Sequence, residues 1–294
     1  MAVLQWDKTG ERVFETGVDH GVLYLPNTAG VYENGYAWNG LTTVTESPSG
    51  AESNKQYADN RVYANLVSAE EFGGTIEAFT YPDEFEQCDG TATPTPGVGI
   101  GQQSRKPFGL SYRSLVGNDT EGQSYGYKLH LVYGATASPS EKARATVNDS
   151  PEAMTLSWEF TTDPVDVGTL SGVTYKPTSH IVIDSTKVAA DDLATLEEFL
   201  YGTAGTDPSL PTPAAVFAIF SGTVLTVTPT EPAYDGATNT MTVPSIAGVT
   251  YYMDDEPLAA GPVVLTANKV VEARPNVGYK FTQPSDSDWL IGDF

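Results

Sequence analysis

The chain has 294 residues and carries 15 basic against 38 acidic side chains, a formal net charge of −23. Such an excess of carboxylates repels nucleic acid and excludes a basic groove built to hold phosphates. A lone cysteine, Cys88, excludes an intramolecular disulfide framework, and a hydrophobic content of 40% excludes wholesale disorder.

At roughly 150 residues per domain this length suggests two domains. Glycine (28) and proline (20) are abundant, Tyr (16) and Phe (11) are plentiful, and helical periods are scarce. That balance favours short strands joined by turns, a mainly β fold. No basic region followed by an apolar run opens the sequence, and no apolar stretch reaches the ~18–20 residues of a membrane span. A soluble protein made in a cytoplasm, with no membrane partner, is therefore expected. In that compartment the sequons at Asn118 and Asn148 carry no sugar.

In chain order, Gly21–Pro26 and Val31–Val44 read as strands, rich in Tyr, Trp, Thr and Val. Thr45–Asn60 turns polar, with Ser, Gly, Pro, Asn and charge, and reads as a long loop. Loops beyond about 12–15 residues are usually functional or disordered. Val62–Leu66 and Thr75–Tyr81 alternate in period two, as half-buried strands do. Thr91–Gly101 is a Pro/Gly-rich surface loop. Phe108–Val116, Ser124–Tyr133, Lys142–Val147, Met154–Thr162 and Val173–Asp184 are further strands. Within Ser124–Tyr133 the residues Tyr125, Tyr127, Leu129, Leu131 and Tyr133 share one face, which places Lys128 and His130 on a solvated opposite face.

One helix is expected. Asp191 and Asp192 supply an acidic N-terminal cap, Leu193, Leu196 and Leu200 form an apolar stripe suited to lying flat on a sheet, and Gly202 stands where a C-terminal glycine belongs. Ala214–Phe220 reads as an apolar strand. A boundary follows near Gly222, giving domains 1–221 and 222–294. Beyond it, short strands at Val224–Thr228, Thr240–Val243, Thr250–Met253, Val263–Ala267, Val270–Ala273 and Gly278–Thr282 keep the ten-residue rhythm of a small sandwich.

No catalytic inventory emerges. His20, His130 and His180 have no partner at metal-ligand spacing, and none stands in a nucleophile elbow. Cys88 lies between Glu86 and Asp89, which raise its pKa and make it a poor nucleophile. Gly97–Gly101 lacks the spacing and flanking elements of a dinucleotide fingerprint. Glu70-Glu71, Asp83-Glu84-Glu86 and Asp254–Glu256 are dense in carboxylates, but Asp254–Glu256 lacks the alternation of a calcium loop and reads as a turn. No enzyme, metal or cofactor is expected.

Three motifs remain. The first is Trp6-Asp7-Lys8-Thr9-Gly10-Glu11-Arg12, running into Gly17-Val18-Asp19-His20-Gly21-Val22-Leu23-Tyr24. The second is Tyr57-Ala58-Asp59-Asn60, and the third is Thr80-Tyr81-Pro82-Asp83-Glu84-Phe85-Glu86-Gln87-Cys88-Asp89-Gly90. In this order and spacing they resemble the major tail proteins, or tail tube proteins, of long-tailed (siphovirus-type) bacteriophages. The likeness extends more weakly to Asp192–Gly202 and so covers about three quarters of the chain.

The resemblance implies a tail-tube β-sandwich or barrel with one flanking helix. It also implies that residues 222–294 form an immunoglobulin-like sandwich displayed on the outside of the tail. Such proteins form hexameric rings whose shared β-barrel lines a lumen, and the rings stack into the tube through which DNA leaves the capsid. The implied partners are further copies of the chain, a tape measure, a tail terminator and DNA passing along an acidic wall without sticking. The implied location is the virion. Stacking uses a long loop and the chain termini, which by position are Thr45–Asn60 and Met1–Gly17. Glu46, Ser47, Ser49, Glu52, Asn54, Lys55 and Tyr57 are the expected inter-ring contacts. Two competing readings are a secreted or surface carbohydrate-binding β-sandwich, which leaves the motifs unexplained, and a β-sandwich hydrolase, which explains only the carboxylates.

Overall fold

A computed structural model describes residues 4–294 apart from 148, 151–152, 171–172, 223–224, 255, 277–278 and 283–284. The protein is mainly β, with two α-helices among the described residues. In chain order the strands are β1 (Phe14–Pro26), β2 (Tyr32–Trp38), β3 (Leu41–Glu46), β4 (Ser49–Gly50), β5 (Ser53–Ala58), β6 (Arg61–Val67), β7 (Glu70–Glu71) and β8 (Gly73–Ala78). A 3-10 turn at Asp83–Gln87 precedes β9 (Ala92–Thr95), β10 (Val98–Ile100), β11 (Phe108–Asn118), β12 (Gly122–Ala137) and β13 (Leu156–Thr162). Then come β14 (Thr169–Leu170), β15 (Val173–Thr174), β16 (His180–Asp184), α1 (Ala190–Tyr201) and α2 (Pro213–Ser221). The C-terminal strands are β17 (Leu225–Val227), β18 (Ala233–Asp235), β19 (Thr240–Val243), β20 (Val249–Met253), β21 (Glu256–Leu258), β22 (Gly261–Val264), β23 (Lys269–Pro275), β24 (Tyr279–Phe281) and β25 (Asp288–Ile291).

The chain divides into two compact units. The first comprises Met1–Leu25, Gly35–Val165 and Pro177–Lys187; the second comprises Pro26–Asn34, Asp166–Lys176 and Val188–Phe294. The helices, which the 221/222 boundary assigns to the first domain, therefore group with the C-terminal strands.

In the first unit one sheet runs β2-β1-β11-β12-β13-β8-β3, with β16 added alongside β12. Strand β12 serves two partners in succession: Lys128–Val132 pairs with β16, and Ala135–Ala137 pairs with β13. The hinge is Gly134, with φ +61°, where an added Cβ would stand 2.2 Å from the Asp163 carbonyl oxygen. Only glycine fits there. The bend carries β13, β8 and β3 round over an interior filled by Leu23, Trp38, Ile76, Phe85, Phe108, Leu110, Tyr112, Val132, Trp158 and Phe160. Burial of that much apolar and aromatic surface is the main force holding the unit together.

The three sequence motifs perform local structural work. Gly10 N–H donates to Asp119 Oδ1 and Asn118 Nδ2–H to the Gly10 carbonyl, so the first motif is pinned to the β11–β12 turn. Asp19 and His20 form a bulge in β1, His20 taking φ +50°, and Asp19 receives a bidentate pair from Arg113 at 2.9 and 3.1 Å. The third motif inserts Phe85 and Cys88 into the core, while Asp89 pairs with Arg105 and Lys142.

In the second unit α1 lies against α2. Leu193, Leu196 and Leu200 are the buried stripe of α1 and Gly202 closes it, as expected; Asp191 and Asp192 sit in the first turn, and Ala189 holds the cap position without a side-chain bond. Beyond α2, a three-stranded sheet β18-β19-β22 and a four-stranded sheet β21-β20-β23-β25 share a core of Met241, Val243, Val249, Tyr251, Leu265, Val271, Ala273 and Ile291. A parallel pair, β17–β24, completes the strands. The expected ends at Val224 and Gly278 lie outside the described residues, as does the sequon asparagine at 148.

Four expected elements are corrected. Ala214–Phe220 is helical, not extended: Thr212 caps it through Ala215 N–H, Pro213 opens it, and Gly222 closes it in the left-handed region. Lys142–Val147 is irregular chain. Val173–Asp184 breaks into β15 and β16. Thr91–Gly101 is a small hairpin, β9–β10.

Candidate functional site

The segment expected to be a loop, Thr45–Asn60, is mostly β structure. Thr45 and Glu46 end β3; β4 pairs with β7; and β5 pairs with β6 along their length, from Ser53 opposite Val67 to Ala58 opposite Arg61. Asp59 and Asn60 make the two-residue turn with φ +51° and +58°, the left-handed pair that a tight hairpin demands. The motif Tyr57-Ala58-Asp59-Asn60 is thus a hairpin tip. Its polar composition hid the strand signal.

β5 and β6 pair with no third strand among the described residues, and of their side chains only Ala64 is even half-buried. Yet the ribbon is not polar throughout. Tyr57 is 71% exposed, Tyr63 73%, Leu66 59% and Val67 60%. Leu66 and Val67 are consecutive in a strand and so point to opposite faces. Apolar surface on both faces means that neither is covered by the body of this unit.

The expected contact residues divide. Asn54, Lys55 and Tyr57 lie on β5, opposite Leu66, Asn65 and Val62. Ser49 is in β4, opposite Glu71, and Glu52 sits at the base, its N–H donating to Ser68 Oγ at 3.3 Å. Ser47 donates its N–H to the Gly73 carbonyl. Glu46 belongs elsewhere.

Its carboxylate reaches into a cluster that sequence spacing did not reveal. Glu46 Oε1 accepts from Tyr112 Oη–H at 2.8 Å, lies 3.1 Å from His130 Nδ1 and 3.8 Å from His180 Nε2. The two ring nitrogens are 3.2 Å apart. His130 Nε2 faces Ser114 Oγ at 3.0 Å, and Ser114 donates to Glu15, which also pairs with Lys128. The four rings of Tyr112, His130, His180 and Phe72 run in near-parallel succession.

His130 is therefore not on a solvated face. It is buried, side by side with Tyr112 across β11–β12 and on the same face as Val132. The apolar Leu129, Leu131 and Tyr133 opposite are buried as well, so this stretch of β12 is covered on both sides and alternation could not tell inside from outside.

Electrostatics follow the contacts. The hydrogen bond with His130, reinforced by Tyr112 and the His180 charge, outweighs burial and holds Glu46 down at about 2. Burial pushes His180 down to about 4, leaving it neutral near pH 7, and burial with the neighbouring Glu46 charge pushes Tyr112 up. His20 stands apart from this group, against Asp19 and Arg113. Cys88 is pushed up to about 12, chiefly by burial and secondarily by Asp89, against the pull of Lys106. It is an inert core thiol, and burial rather than the neighbouring carboxylates is the main reason. Among the described residues no helix is long and apolar enough to cross a membrane. No family model and no curated protein matches the chain.

Proposed function

We propose that the protein is the structural subunit of a bacteriophage tail tube, forming hexameric rings that stack around an acidic lumen through which DNA passes. The observation that carries this reading is the β5–β6 hairpin. A lone two-stranded ribbon is at best marginal in water, and one that exposes Tyr57, Val62, Tyr63, Leu66 and Val67 has the composition of an interface awaiting its partner. A second copy of the same ring offers that partner without any further protein. The N-terminal segment adds exposed Leu4 and Trp6, in keeping with the termini as a second stacking element.

Two other observations support the proposal. The motifs that suggest it are accounted for as a pinned turn, a bulge, a hairpin tip and a core plug, which is what a purely structural subunit requires. The net charge of −23 suits a wall that repels DNA phosphates and lets the polymer slide. In this reading the C-terminal sandwich is the outward-facing module, since its strands close around a core of their own.

The test is assembly of a hairpin variant. Tyr57→Ser with Leu66→Ser removes two exposed apolar anchors and no core contact. The variant subunit is expected to keep its melting temperature and to lose higher-order species in sedimentation. Unchanged assembly by the double variant refutes the stacking role.

A further inference from the structure

We propose that Glu46, His130 and His180 form a binding site for one divalent transition ion of the zinc type, with Glu46 Oε1, His130 Nδ1 and His180 Nε2 as ligands. Three strands supply one ligand each: β3, β12 and β16. The three atoms stand 3.1, 3.2 and 3.8 Å apart, and they come from the one group of three such side chains that converges in this way among the described residues.

Zinc bonds nitrogen and oxygen at about 2.0–2.2 Å in a tetrahedron, which sets ligand atoms roughly 3.4 Å apart, whereas an octahedral ion with bonds of that length needs about 3.0 Å on every cis edge. Two observed edges, 3.1 and 3.2 Å, lie between those values and the 3.8 Å edge exceeds both, so the ligand chemistry selects the ion. Two imidazoles and one carboxylate are a zinc, cobalt or iron set, and a poor one for magnesium or calcium, which prefer all-oxygen cages.

The surroundings prepare the ligands. Ser114 donates its hydroxyl proton to Glu15, so its oxygen is available to accept from His130 Nε2–H. Metal binding would replace the hydrogen bond from His130 Nδ1 to Glu46, with the ring proton kept on Nε2 toward Ser114 Oγ and the Glu15 carboxylate beyond that hydroxyl, an outer hydrogen-bond partner of the kind metal-bound histidines usually have. Tyr112 holds Glu46 from the other side. Glu46 is the most exposed of the three ligands, so solvent would reach a bound ion from its side. Bound metal would clasp β3, the last strand of the sheet path, to β12 and β16. The inference stands on this geometry alone and is independent of the tail-tube reading.

The experiment uses the full chain, purified without a polyhistidine tag and stripped with chelator. Zinc is titrated by calorimetry, and cobalt is followed by its visible absorption. The expected result is one zinc per chain, intense tetrahedral cobalt bands that zinc abolishes, no competition from a large excess of magnesium, and a melting temperature that rises with zinc. His180→Ala and Glu46→Gln should each weaken zinc binding by more than about 100-fold, beyond the 10–100-fold that losing an outer hydrogen-bond partner costs, and Ser114→Ala should fall within that lesser range. If His180→Ala does not fold, Glu46→Gln decides, because the amide keeps the size and the Tyr112 contact. Absence of zinc uptake by the stripped native protein, or undiminished affinity in a folded ligand variant, overturns the site.

Discussion

At the scale of single residues, polar groups drawn into the sheet sandwich set the acid limit of the first unit. His180 has a folded pKa of about 4 because burial disfavours its charge, against 6.5 for the free side chain. Between those values the unfolded chain takes up a proton that the folded chain refuses. Stability is therefore intact above pH 6.5 and declines as pH falls toward 4, with a slope of at most about 1.4 kcal/mol per pH unit. Glu46, held at about 2 by His130 and Tyr112, adds a second decline as pH falls from its usual 4.5 toward 2. Urea midpoints of the metal-free protein at pH 7, 5 and 4 should show the first loss, and His180→Gln should flatten it; equal midpoints in the native protein at pH 7 and 4 would refute the assignment.

Phe85 is the apolar counterpart. Its ring centroid lies 4.6 Å from Trp38, 5.3 Å from Trp158 and 5.4 Å from Phe108, mostly edge to face. Truncating it to alanine should cost about 3–5 kcal/mol in denaturant unfolding; a loss below about 1 kcal/mol would show that the 3-10 turn is not a core plug. The role of Phe85 could be suspected from its motif, whereas the His130–His180 pair could not. Its members are 50 residues apart and meet only because β16 returns alongside β12, a pairing that no local pattern announces.

At the scale of elements, the β5–β6 hairpin is the feature with most to explain. Its backbone is paired, yet with one partner strand and almost no burial the pairing has little to hold it. In the isolated subunit its amides should exchange quickly, and in stacked rings slowly; strong protection already present in the monomer would contradict an inter-ring role. Most strands of both units were legible in the sequence, because β-branched and aromatic runs punctuated by Gly and Pro leave few alternatives. Among the elements that were not, β5 and α2 escaped for opposite reasons. Strand β5 has no buried face and reads Ser-Asn-Lys-Gln-Tyr-Ala, so it lacks the apolar alternation that marks a strand, whereas β6, whose Val62–Leu66 does alternate, is a strand as expected but exposed rather than half-buried. Helix α2 buries Pro213, Ala215, Val216, Ala218 and Ile219 around most of its circumference, so it lacks the apolar-polar period that marks a helix. In α2 the caps, Thr212-Pro213 and Gly222, were the only readable sign.

At the scale of the whole molecule, the tail-tube proposal gives the unpartnered hairpin and the net charge of −23 a place in one repeating assembly. An acidic chain gains from closed, symmetric assembly only if its contacts outweigh charge repulsion, so rings should form more readily as salt screens the carboxylates. In that proposal the exposed apolar residues of the hairpin and of the N-terminal segment would supply the salt-insensitive part of the contact. Electron microscopy of the purified protein, concentrated in moderate salt, tests this claim most directly. Six-fold rings with a central hole, stacking into tubes of uniform width, are the expected result. Single unassociated particles at every concentration and salt, with no ring in any field, would contradict it.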